Sequence, residues 1–215
     1  RGTRSICLDL KEESAQKALR KLIESADGMI SNNRSDTVRK LGIDYETVSN
    51  INPKIVYVDI TAYGPNGHMA DMPGFDLIVQ GYTGAVASEG KITKEGQPEV
   101  VWSSSYIDFS TGYAAANGIL AGIIGRGKTG KGQLVSTSLL SNAIAMQSLR
   151  VADVKGIPAP AKMWFDTTRL ELIEKGASYE EIQESYQMAV RPLIYRCYYR
   201  SYKTLNGGLA LGTLA

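Results

Sequence analysis

The segment YIDFSTGYAAANGILAGIIGRGKTGKGQLVSTSLL, from Tyr106 to Leu140, decides the fold of this chain of 215 residues. It places one acid, Asp108, immediately before a run of small and aliphatic residues that favours a closely packed, buried helix. Ser110 and Thr111 are good residues for the start of that helix, and Gly125 is a plausible end. The segment therefore predicts a buried helix that begins beside an acid and leads, through a basic glycine turn, into a strand.

Asp108 has two interpretations when this segment is considered alone. An Asp beside the start of a helix commonly caps it, by accepting a hydrogen bond from a backbone N–H group. The free N–H groups of a first turn also attract anions, and a carboxylate placed there is suited to acyl chemistry as a nucleophile. The local residues leave both interpretations open.

Strands and helices alternate along the first part of the chain. The predicted strands are Ile6 to Leu10, Met29 to Ser31 and Lys54 to Ile60. The predicted helices are Glu12 to Ala26, Ser35 to Leu41 and Tyr45 to Asn50. This alternation predicts an α/β protein with an open, parallel, doubly wound sheet of the Rossmann type. Such sheets bind ligands beyond the carboxyl ends of their strands, so we expect a cleft bordered by Lys11, Asn32 and Thr61 to Gly64.

Further elements are predicted towards the end of the chain. Helices are expected at Gly74 to Ala85 and Leu139 to Val154, and strands at Glu99 to Ser103 and Gln133 to Ser138. A hairpin is expected from Ile194 to Thr204 and from Gly208 to Gly212, turning at Asn206-Gly207. We divide the chain into a large nucleotide-type domain at 1–154, a linker at 155–191 and the beginning of a smaller domain at 192–215. The linker is predicted to hold one short helix, Tyr179 to Met188.

The sequence GRGKTGKG, from Gly125 to Gly132, nearly matches a phosphate-binding P-loop. A P-loop follows a strand, opens a helix and carries Ser or Thr after its Lys. Here a helix is predicted before the motif and a strand after it, and Gly132 stands where the hydroxyl residue belongs. We interpret the segment as a solvated turn, which argues against nucleotide hydrolysis.

Composition narrows the class of protein further. A hydrophobic content of 43% is enough for one sizeable core, and 24 basic against 22 acidic residues give a net charge of +2 that does not predict a nucleic-acid surface. Cys7 and Cys197 are far apart and have no His partner, which predicts neither a metal site nor a disulfide and favours the reducing cytoplasm. No run approaches the ~18 apolar residues of a membrane span.

Several motifs follow one another along the chain. They are SICLDLK (Ser5 to Lys11), VRKLGIDYETV (Val38 to Val48), NPKIVYVDITAYGPNG (Asn52 to Gly67), PGFDLIVQGYTG (Pro73 to Gly84), YIDFSTG and GRGKTGKGQLV. In order and spacing they resemble the family III coenzyme A transferases of the CaiB/BaiF type, the group that includes formyl-CoA and carnitine-linked transferases. The likeness is dense from Ser5 to about Ser148 and reappears at Ile194 to Gly212.

The resemblance implies a reaction and a nucleophile. Family members move coenzyme A from an acyl-CoA to a free carboxylic acid, and Asp108 matches their nucleophile by motif. The implied covalent intermediates are an aspartyl mixed anhydride and then an aspartyl-CoA thioester. Coenzyme A, arriving as acyl-CoA, is the only cofactor implied, and no metal is expected.

The same resemblance implies which residues contact coenzyme A. Leu8 and Lys11 match family residues around the adenosine and its phosphate. The other implied contacts are Asn32, Asn33, Thr37, Lys40, Leu41 and Phe75. Lys40 stands where many relatives have Arg, which keeps the charge but loses the two-pronged hydrogen bonding of a guanidinium. The alternative for each lysine is an ordinary solvated charge.

A second enzyme class shares the motifs. Racemases of 2-methylacyl-CoA resemble the same pattern but have a His before the Asp where this chain has Phe75 before Asp76. Racemisation needs a second base, and Phe carries no exchangeable proton. The only histidine, His68, lies in a predicted surface loop. Asp76 is then either a supporting acid that orients the intermediate or a helix cap.

The resemblance also bears on assembly and completeness. Family members form homodimers with interlocked chains, and 155–191 resembles the segment that crosses between their domains. They are longer, and the part before the equivalent of Ser5 supplies a first strand and helix. Because the sequence starts with Arg1 and not Met, we predict an internal piece lacking that strand and helix. An inactive coenzyme-binding fragment is therefore kept as an alternative.

Overall fold

The computed structural model describes residues 2–89, 91–101, 104–148, 155, 160–190 and 199–212. The chain forms two compact units. The first unit comprises Arg1–Thr83 and Val101–Met146, and the second unit comprises Gly84–Val100 and Gln147–Ala215. The division at 154 and 191 that the sequence suggests stays a prediction.

Three parallel strands form the sheet of the first unit. They are β1 (Gly28–Ser31), β2 (Val56–Thr61) and β3 (Gln133–Ser138), in the spatial order β1-β2-β3. Branched residues suit this buried, pleated position, and Val56 and Val58 of β2 are completely buried. The predicted α/β class with a parallel sheet is confirmed.

The helices follow the predicted alternation closely in the first unit. In chain order the described helices are α1 (Glu13–Ser25), α2 (Ser35–Leu41), α3 (Tyr45–Ile51), α4 (Asp76–Tyr82), α5 (Ala85–Ser88), α6 (Tyr106–Thr129), α7 (Leu139–Met146), α8 (Pro160–Asp166), α9 (Thr168–Glu174) and α10 (Tyr179–Val190). Of these, α5 and α8 to α10 belong to the second unit. Local sequence explains several boundaries. Asp44 caps α3 by accepting from the N–H of Thr47 at 3.0 Å, and α2 ends at Gly42, whose φ of 64° favours glycine.

Helices cover both faces of the sheet. On one face Tyr57 lies in a buried cluster with Ile23 of α1 and Val48 of α3. Its neighbour Val56 points to the opposite face, where it meets Gly122 of α6. A parallel sheet with helices on both faces is the doubly wound arrangement that the sequence predicts.

Small residues allow α6 to approach the sheet closely. A Cβ atom added at Gly118 would lie 2.7 Å from a methyl group of Val135, and one added at Gly122 would overlap the side chain of Val56. Both separations are shorter than a van der Waals contact. The small-residue pattern of this helix is thus a packing requirement.

The predicted start of α6 is wrong. The helix begins at Tyr106, so Asp108 lies in its first turn and not before it. The hydroxyls of Ser110 and Thr111 do not cap the helix; each donates a hydrogen bond to the carbonyl of Ile107, at 2.9 and 2.7 Å. These residue types form such backward bonds when they stand inside a helix.

The predicted end of α6 at Gly125 is also wrong. The helix continues to Thr129 and ends at Gly130, whose φ of 71° lies in the left-handed region. The first five residues of GRGKTGKG belong to this helix, so the predicted turn is confined to 130–132, and β3 follows directly. The motif thus ends a helix and leads into a strand, the reverse of the P-loop arrangement. Although α6 has 24 residues, neither it nor another helix in the described parts of the chain combines the length and apolarity needed to cross a membrane.

The strands predicted at Ile6 to Leu10 and at Glu99 to Ser103 are absent from the described parts of these segments. Residues 2–9 have no regular structure, and Ile6 is 64% exposed. A strand needs a partner, and this segment pairs with none of the described strands. Residues 99–101 form no strand either, while 102–103 lie outside the described residues.

The second unit contains more helix than the sequence predicts. Three helices, α8, α9 and α10, fall in the segment 155–191, where only one was expected. Ala161, Trp164 and Tyr186 form a small buried cluster, and the Trp164 ring N–H donates to the hydroxyl of Ser185 at 2.8 Å. Aromatic burial of this kind gives these short helices tertiary support that local pattern does not show.

The hairpin of the second unit is confirmed over its described part. Strands β4 (Tyr199–Thr204) and β5 (Gly207–Gly212) are antiparallel, with Thr204 opposite Gly207. The two turn residues are therefore Leu205 and Asn206, one position earlier than predicted. Residues 194–198 of the predicted hairpin and 149–154 of the predicted helix after β3 lie outside the described residues.

Candidate active site

A cavity of about 670 Å³ lies at the carboxyl ends of the three parallel strands. Asn32 and Asn33 follow β1, Ala62 follows β2, and Leu139 follows β3. The lining residues are Asn32, Asn33, Arg34, Ser35, Ile60, Thr61, Ala62, Ala70, Met72, Pro73, Gly74, Phe75, Asp108, Thr111, Gly112 and Leu139. This is the edge of the sheet where parallel folds bind ligands.

Asp108 lines this cavity from the first turn of α6. Its side chain is exposed to the cavity and solvent, yet part of the carboxyl group is desolvated. Desolvation raises the pKa of Asp108, and the nearby negative charge of Asp76 raises it further. The Asp108 carboxylate is therefore a stronger base than a fully solvated Asp.

Asp76 fixes the turn that carries Asp108. It is the first residue of α4 and is only 8% exposed. One carboxylate oxygen accepts from the backbone N–H groups of Ile107 at 2.9 Å and Asp108 at 3.1 Å. The other oxygen accepts from the side-chain amide of the buried Gln80. Asp76 is thus a helix cap, but it caps α6, a helix 30 residues further along the chain (106 − 76).

This cap changes the expected electrostatics of the first turn of α6. Besides the two N–H groups bound by Asp76, that of Tyr106 donates to the Ser104 carbonyl and that of Phe109 to the Ser105 carbonyl, at 2.9 and 3.0 Å. The first-turn amides are therefore all occupied. The expectation that free N–H groups here face a substrate anion is wrong, because another side chain already fills the position.

Four of the predicted site residues come together around the cavity: Asp108, Asn32, Asn33 and Phe75. Phe75 is 68% exposed, so its ring is accessible to a ligand. Asn33 also donates from its side chain to the hydroxyl of Ser31 at 3.3 Å. These residues reach the same place from three separate segments of the chain.

The remaining predicted coenzyme residues do not line the cavity. They are Leu8, Lys11, Thr37, Lys40 and Leu41. Lys40 forms an exposed pair with Asp36 at 3.3 Å, and this hydrogen bond holds the pKa of Asp36 below its usual value. The backbone N–H of Lys11 donates to the carboxylate of Asp9. Their role in coenzyme binding stays a prediction.

Sequence reasoning missed other residues of the cavity, above all Arg34 and Gly74. A Cβ atom at Gly74 would lie 2.6 Å from that of Ala62, so glycine lets the loop before α4 pack against the end of β2. Arg34 adds a cation to the cavity wall. Its position directly after a predicted strand end was a usable signal, since that edge of a parallel sheet holds ligands.

The doubly wound sheet and its acid-bearing cavity define a class of ligand-binding α/β proteins. A sequence profile places the chain within that class: CoA-transferase family III matches residues 1–163. The chain belongs to this family, as its motifs indicate.

Relatives from several organisms share this part of the chain. The succinate–glutarate CoA-transferase of Agrobacterium fabrum is 37% identical over 140 residues, covering 65% of this chain and 34% of the relative. The probable fatty acyl-CoA transferase of Mycobacterium tuberculosis is 30% identical over 148 residues, covering 69% of this chain and 37% of the relative. The chain thus spans roughly a third of the length of these relatives.

Solved structures agree with the fold. The crystal structure of the same M. tuberculosis protein matches with a TM-score of 0.64 and 30% identity, over 69% of this chain and 41% of that one. A CAIB/BAIF family protein from Brucella suis matches with a TM-score of 0.67 over 99% of this chain and 49% of that one. At 23% identity this second match concerns the fold alone.

Proposed function

We propose that this protein transfers coenzyme A from an acyl-CoA to a free carboxylic acid, with Asp108 as the nucleophile. The observation that carries the proposal is a carboxylate on the wall of a large cavity, on a helix turn anchored by a second, buried acid. Membership of CoA-transferase family III supports the reaction type.

The first half of the reaction breaks the donor thioester. The Asp108 carboxylate attacks the carbonyl carbon of the acyl-CoA, the C–S bond breaks, and coenzyme A leaves as a thiolate. The product on the protein is a mixed anhydride between Asp108 and the acyl group. The thiolate then attacks the Asp108 carbonyl of this anhydride, so that the first acid leaves as a carboxylate and an aspartyl-CoA thioester remains.

The second half repeats these steps in reverse order. The carboxylate of the second acid attacks the aspartyl-CoA thioester and expels the thiolate, which forms a new mixed anhydride. The thiolate attacks the acyl carbonyl of the second acid, giving a new acyl-CoA and the free Asp108 carboxylate. One thioester is exchanged for another, so the reaction needs neither ATP nor a redox partner.

Each attack creates an oxyanion that needs hydrogen-bond donors. The first-turn amides of α6 are bound by Asp76 and by local carbonyls, so the donors come from elsewhere. Asn32 and Asn33 have side-chain N–H groups on the cavity wall, and we assign part of this stabilisation to them. Asp76 acts on the reaction indirectly, by holding Asp108 in place.

The proposal extends to binding and assembly. On the family resemblance, Leu8, Lys11, Thr37, Lys40 and Leu41 contact the nucleotide end of coenzyme A. The same resemblance supports an interlocked homodimer, and the two cysteines without a predicted disulfide favour a cytoplasmic location. Relatives named for succinate, glutarate and oxalate suggest dicarboxylic acids as the first substrates to test.

The racemase alternative has less support. Phe75, which has no proton to move, lies on the cavity wall at the position of the second base. We therefore expect coenzyme exchange without uptake of solvent deuterium at the α-carbon. Deuterated acyl-CoA in heavy water, without transfer to an added acid, would favour the racemase.

Trapping the intermediate tests the nucleophile. Incubation of the full chain encoded by the gene with acyl-CoA should add mass to the peptide that carries Asp108, and hydroxylamine should release it. Asp108→Asn should abolish both the added mass and the exchange, by at least about 10³-fold in kcat, since it removes covalent catalysis. Normal turnover by Asp108→Asn would refute the proposal.

A further inference from the structure

The cavity wall contains one glycine of α6. Among the described lining residues, that helix contributes Asp108, Thr111 and Gly112. Gly112 follows Asp108 by four positions, and side chains four positions apart lie on the same face of a helix. Helical side chains also lean towards the amino end of their helix, so a side chain at 112 would extend over the turn that carries Asp108. Glycine leaves this volume open beside the proposed nucleophile.

The packing of α6 gives no reason for a glycine at this position. Gly118 and Gly122 are needed, because a Cβ atom there would press against Val135 or Val56 of the sheet. A Cβ atom at Gly112 would meet none of the described atoms within 4 Å beyond the neighbouring backbone of its own helix, and its φ lies outside the left-handed region. Glycine inside a helix costs about 1 kcal/mol relative to alanine. Gly112 therefore lowers the stability of α6 without improving its packing.

The proposed reaction fills the volume beside Gly112. A nucleophile and the carbon that it attacks come to within about 3 to 3.5 Å before they react. Neighbouring turns of a helix present their Cβ atoms about 5 to 6 Å apart. A carbonyl carbon that approaches the Asp108 carboxylate therefore brings its acyl group next to the wall formed by Gly112. Each covalent intermediate of the proposed reaction keeps an acyl group or the coenzyme thiol at that place.

We propose that Gly112 determines how large an acyl group can reach Asp108. The inference rests on the proposed function, because that function places an acyl group on Asp108. It makes Gly112 a specificity-determining residue, since each carbon atom added at 112 takes space from the part of the acyl group nearest the reacting carbonyl. Acyl groups that branch beside the carbonyl are then excluded first, and the small acetyl group is excluded last.

Paired substitutions in α6 isolate this role. Gly112→Ala and Gly112→Leu add side chains on the cavity wall. Gly127→Ala and Gly127→Leu add the same side chains to the same helix outside the cavity, where a Cβ atom also meets none of the described atoms within 4 Å. Both glycines are exposed, and Ala and Leu favour helices more than Gly does, so all four variants should fold at least as stably as the wild type. Thermal melting checks this expectation.

Exchange of an isotope-labelled acid into its own acyl-CoA tests one acyl group at a time. The full chain encoded by the gene is assayed with acetate, propionate and isobutyrate, each with the matching acyl-CoA. Gly112→Ala should lower kcat/KM for the isobutyryl group by about 10- to 100-fold, the effect of one methyl group in a tight pocket, and should lower it less for the acetyl group. Gly112→Leu should lower it further for all three acids. Both Gly127 variants should stay within about twofold of the wild type.

Chemical labelling tests access to Asp108 without the enzymatic reaction. Dicyclohexylcarbodiimide reacts with a protonated carboxyl group: the carboxyl oxygen bonds to the carbodiimide carbon, the proton moves to a nitrogen, and added glycine ethyl ester then displaces the urea to form an amide. Desolvation raises the pKa of Asp108, which favours this reaction. Gly112→Leu should slow labelling of the peptide that carries Asp108 by at least about tenfold, measured by mass spectrometry, and Gly127→Leu should not slow it.

The results separate this inference from the proposed function. If the wild type exchanges these acids and the Gly112 variants match the Gly127 variants in both exchange and labelling, the inference is overturned alone. A loss in Gly112→Ala that is equal for all three acids also overturns it, because size then plays no part. If the wild type exchanges neither these acids nor the dicarboxylic acids named above, the proposed function fails, and the labelling alone decides whether Gly112 controls access to Asp108.

Discussion

The two ends of α6 are held by contacts of different kinds. At the amino end the buried carboxylate of Asp76 accepts hydrogen bonds from two backbone N–H groups. At the carboxyl end Arg126 forms an ion pair with Asp27 at 2.7 Å and donates to the carbonyl of Lys54 at 3.1 Å. The Asp27 side chain in that pair is 76% exposed, whereas the Arg126 side chain is 21% exposed, so water reaches the pair from the Asp27 side.

The two kinds of contact differ in how much stability the protein loses when they are removed. Water can replace the partners of an exposed ion pair, so its loss costs little. Water cannot easily reach the N–H groups beneath Asp76, so their loss leaves buried donors unpaired. The end of α6 that carries the proposed nucleophile is consequently the end that tolerates substitution least.

The largest expected effect comes from removing the amino-terminal cap. Asp76→Ala should lower the free energy of unfolding by about 2 to 4 kcal/mol, because it strands the N–H groups of Ile107 and Asp108 and the amide of Gln80. Asp76→Asn keeps an acceptor oxygen and should cost less. Urea denaturation followed by circular dichroism measures both.

Asp36→Ala is the matched control for that prediction. Asp36 also lies in the first turn of a helix, but its partners Lys40 and Thr37 are on the surface. Its removal should leave the unfolding midpoint nearly unchanged. Equal losses for Asp76→Ala and Asp36→Ala would show that the buried cap has no special importance.

An intermediate loss of stability is expected in the second half of α6, where Gly122 packs against the sheet. Gly122→Ala should destabilise the protein by about 1 to 3 kcal/mol, since the new methyl group overlaps Val56. Gly127→Ala, in the same helix, meets nothing within 4 Å and should be neutral or stabilising by up to about 1 kcal/mol. Thermal melting of the two variants compares them. A stabilising Gly122→Ala would mean that helix and sheet can separate without cost.

The smallest effect is expected at the carboxyl end. Arg126→Gln should cost about 0.5 to 1 kcal/mol at low ionic strength, and the loss should shrink in 1 M salt because salt screens exposed charges. Urea titrations at two salt concentrations measure the free energy of unfolding of this variant. The control is Lys128→Gln, which removes an exposed basic side chain from the same end of α6. A salt-independent loss as large as that of Asp76→Ala would contradict the contrast between the two ends.

The sequence predicted what depends on local pattern. The alternation of strands and helices gave the parallel sheet, and α2 was placed at its observed bounds because Ser35 opens it and Gly42 closes it. The grouping of Asn32, Asn33 and Asp108 followed from the rule that ligands bind beyond strand ends, joined to the motif resemblance. These inferences need only neighbouring residues and one topological rule.

What the sequence did not predict depends on contacts between distant residues. Asp76 was taken as a cap of its own helix or a supporting acid, and nothing nearby in the sequence indicates that its partners are Ile107 and Asp108. The segment from Ile6 to Leu10 has the composition of a strand, but a strand forms only where a partner edge is available. Arg34 was missed although it directly follows a predicted strand end, the edge of a parallel sheet where ligands bind.

The peptide bond between Phe75 and Asp76 joins the cavity wall to the anchor of the proposed nucleophile. Phe75 is on the cavity wall, and the next residue holds the turn of Asp108. We therefore expect a substitution that reshapes the wall at Phe75 to disturb the anchor of the proposed nucleophile as well, so that a change of specificity there lowers kcat. Met72 also lines the cavity but lies four residues before Asp76. We expect substitutions of Met72 to change the shape of the cavity wall while Asp76 keeps its hydrogen bonds to the first turn of α6.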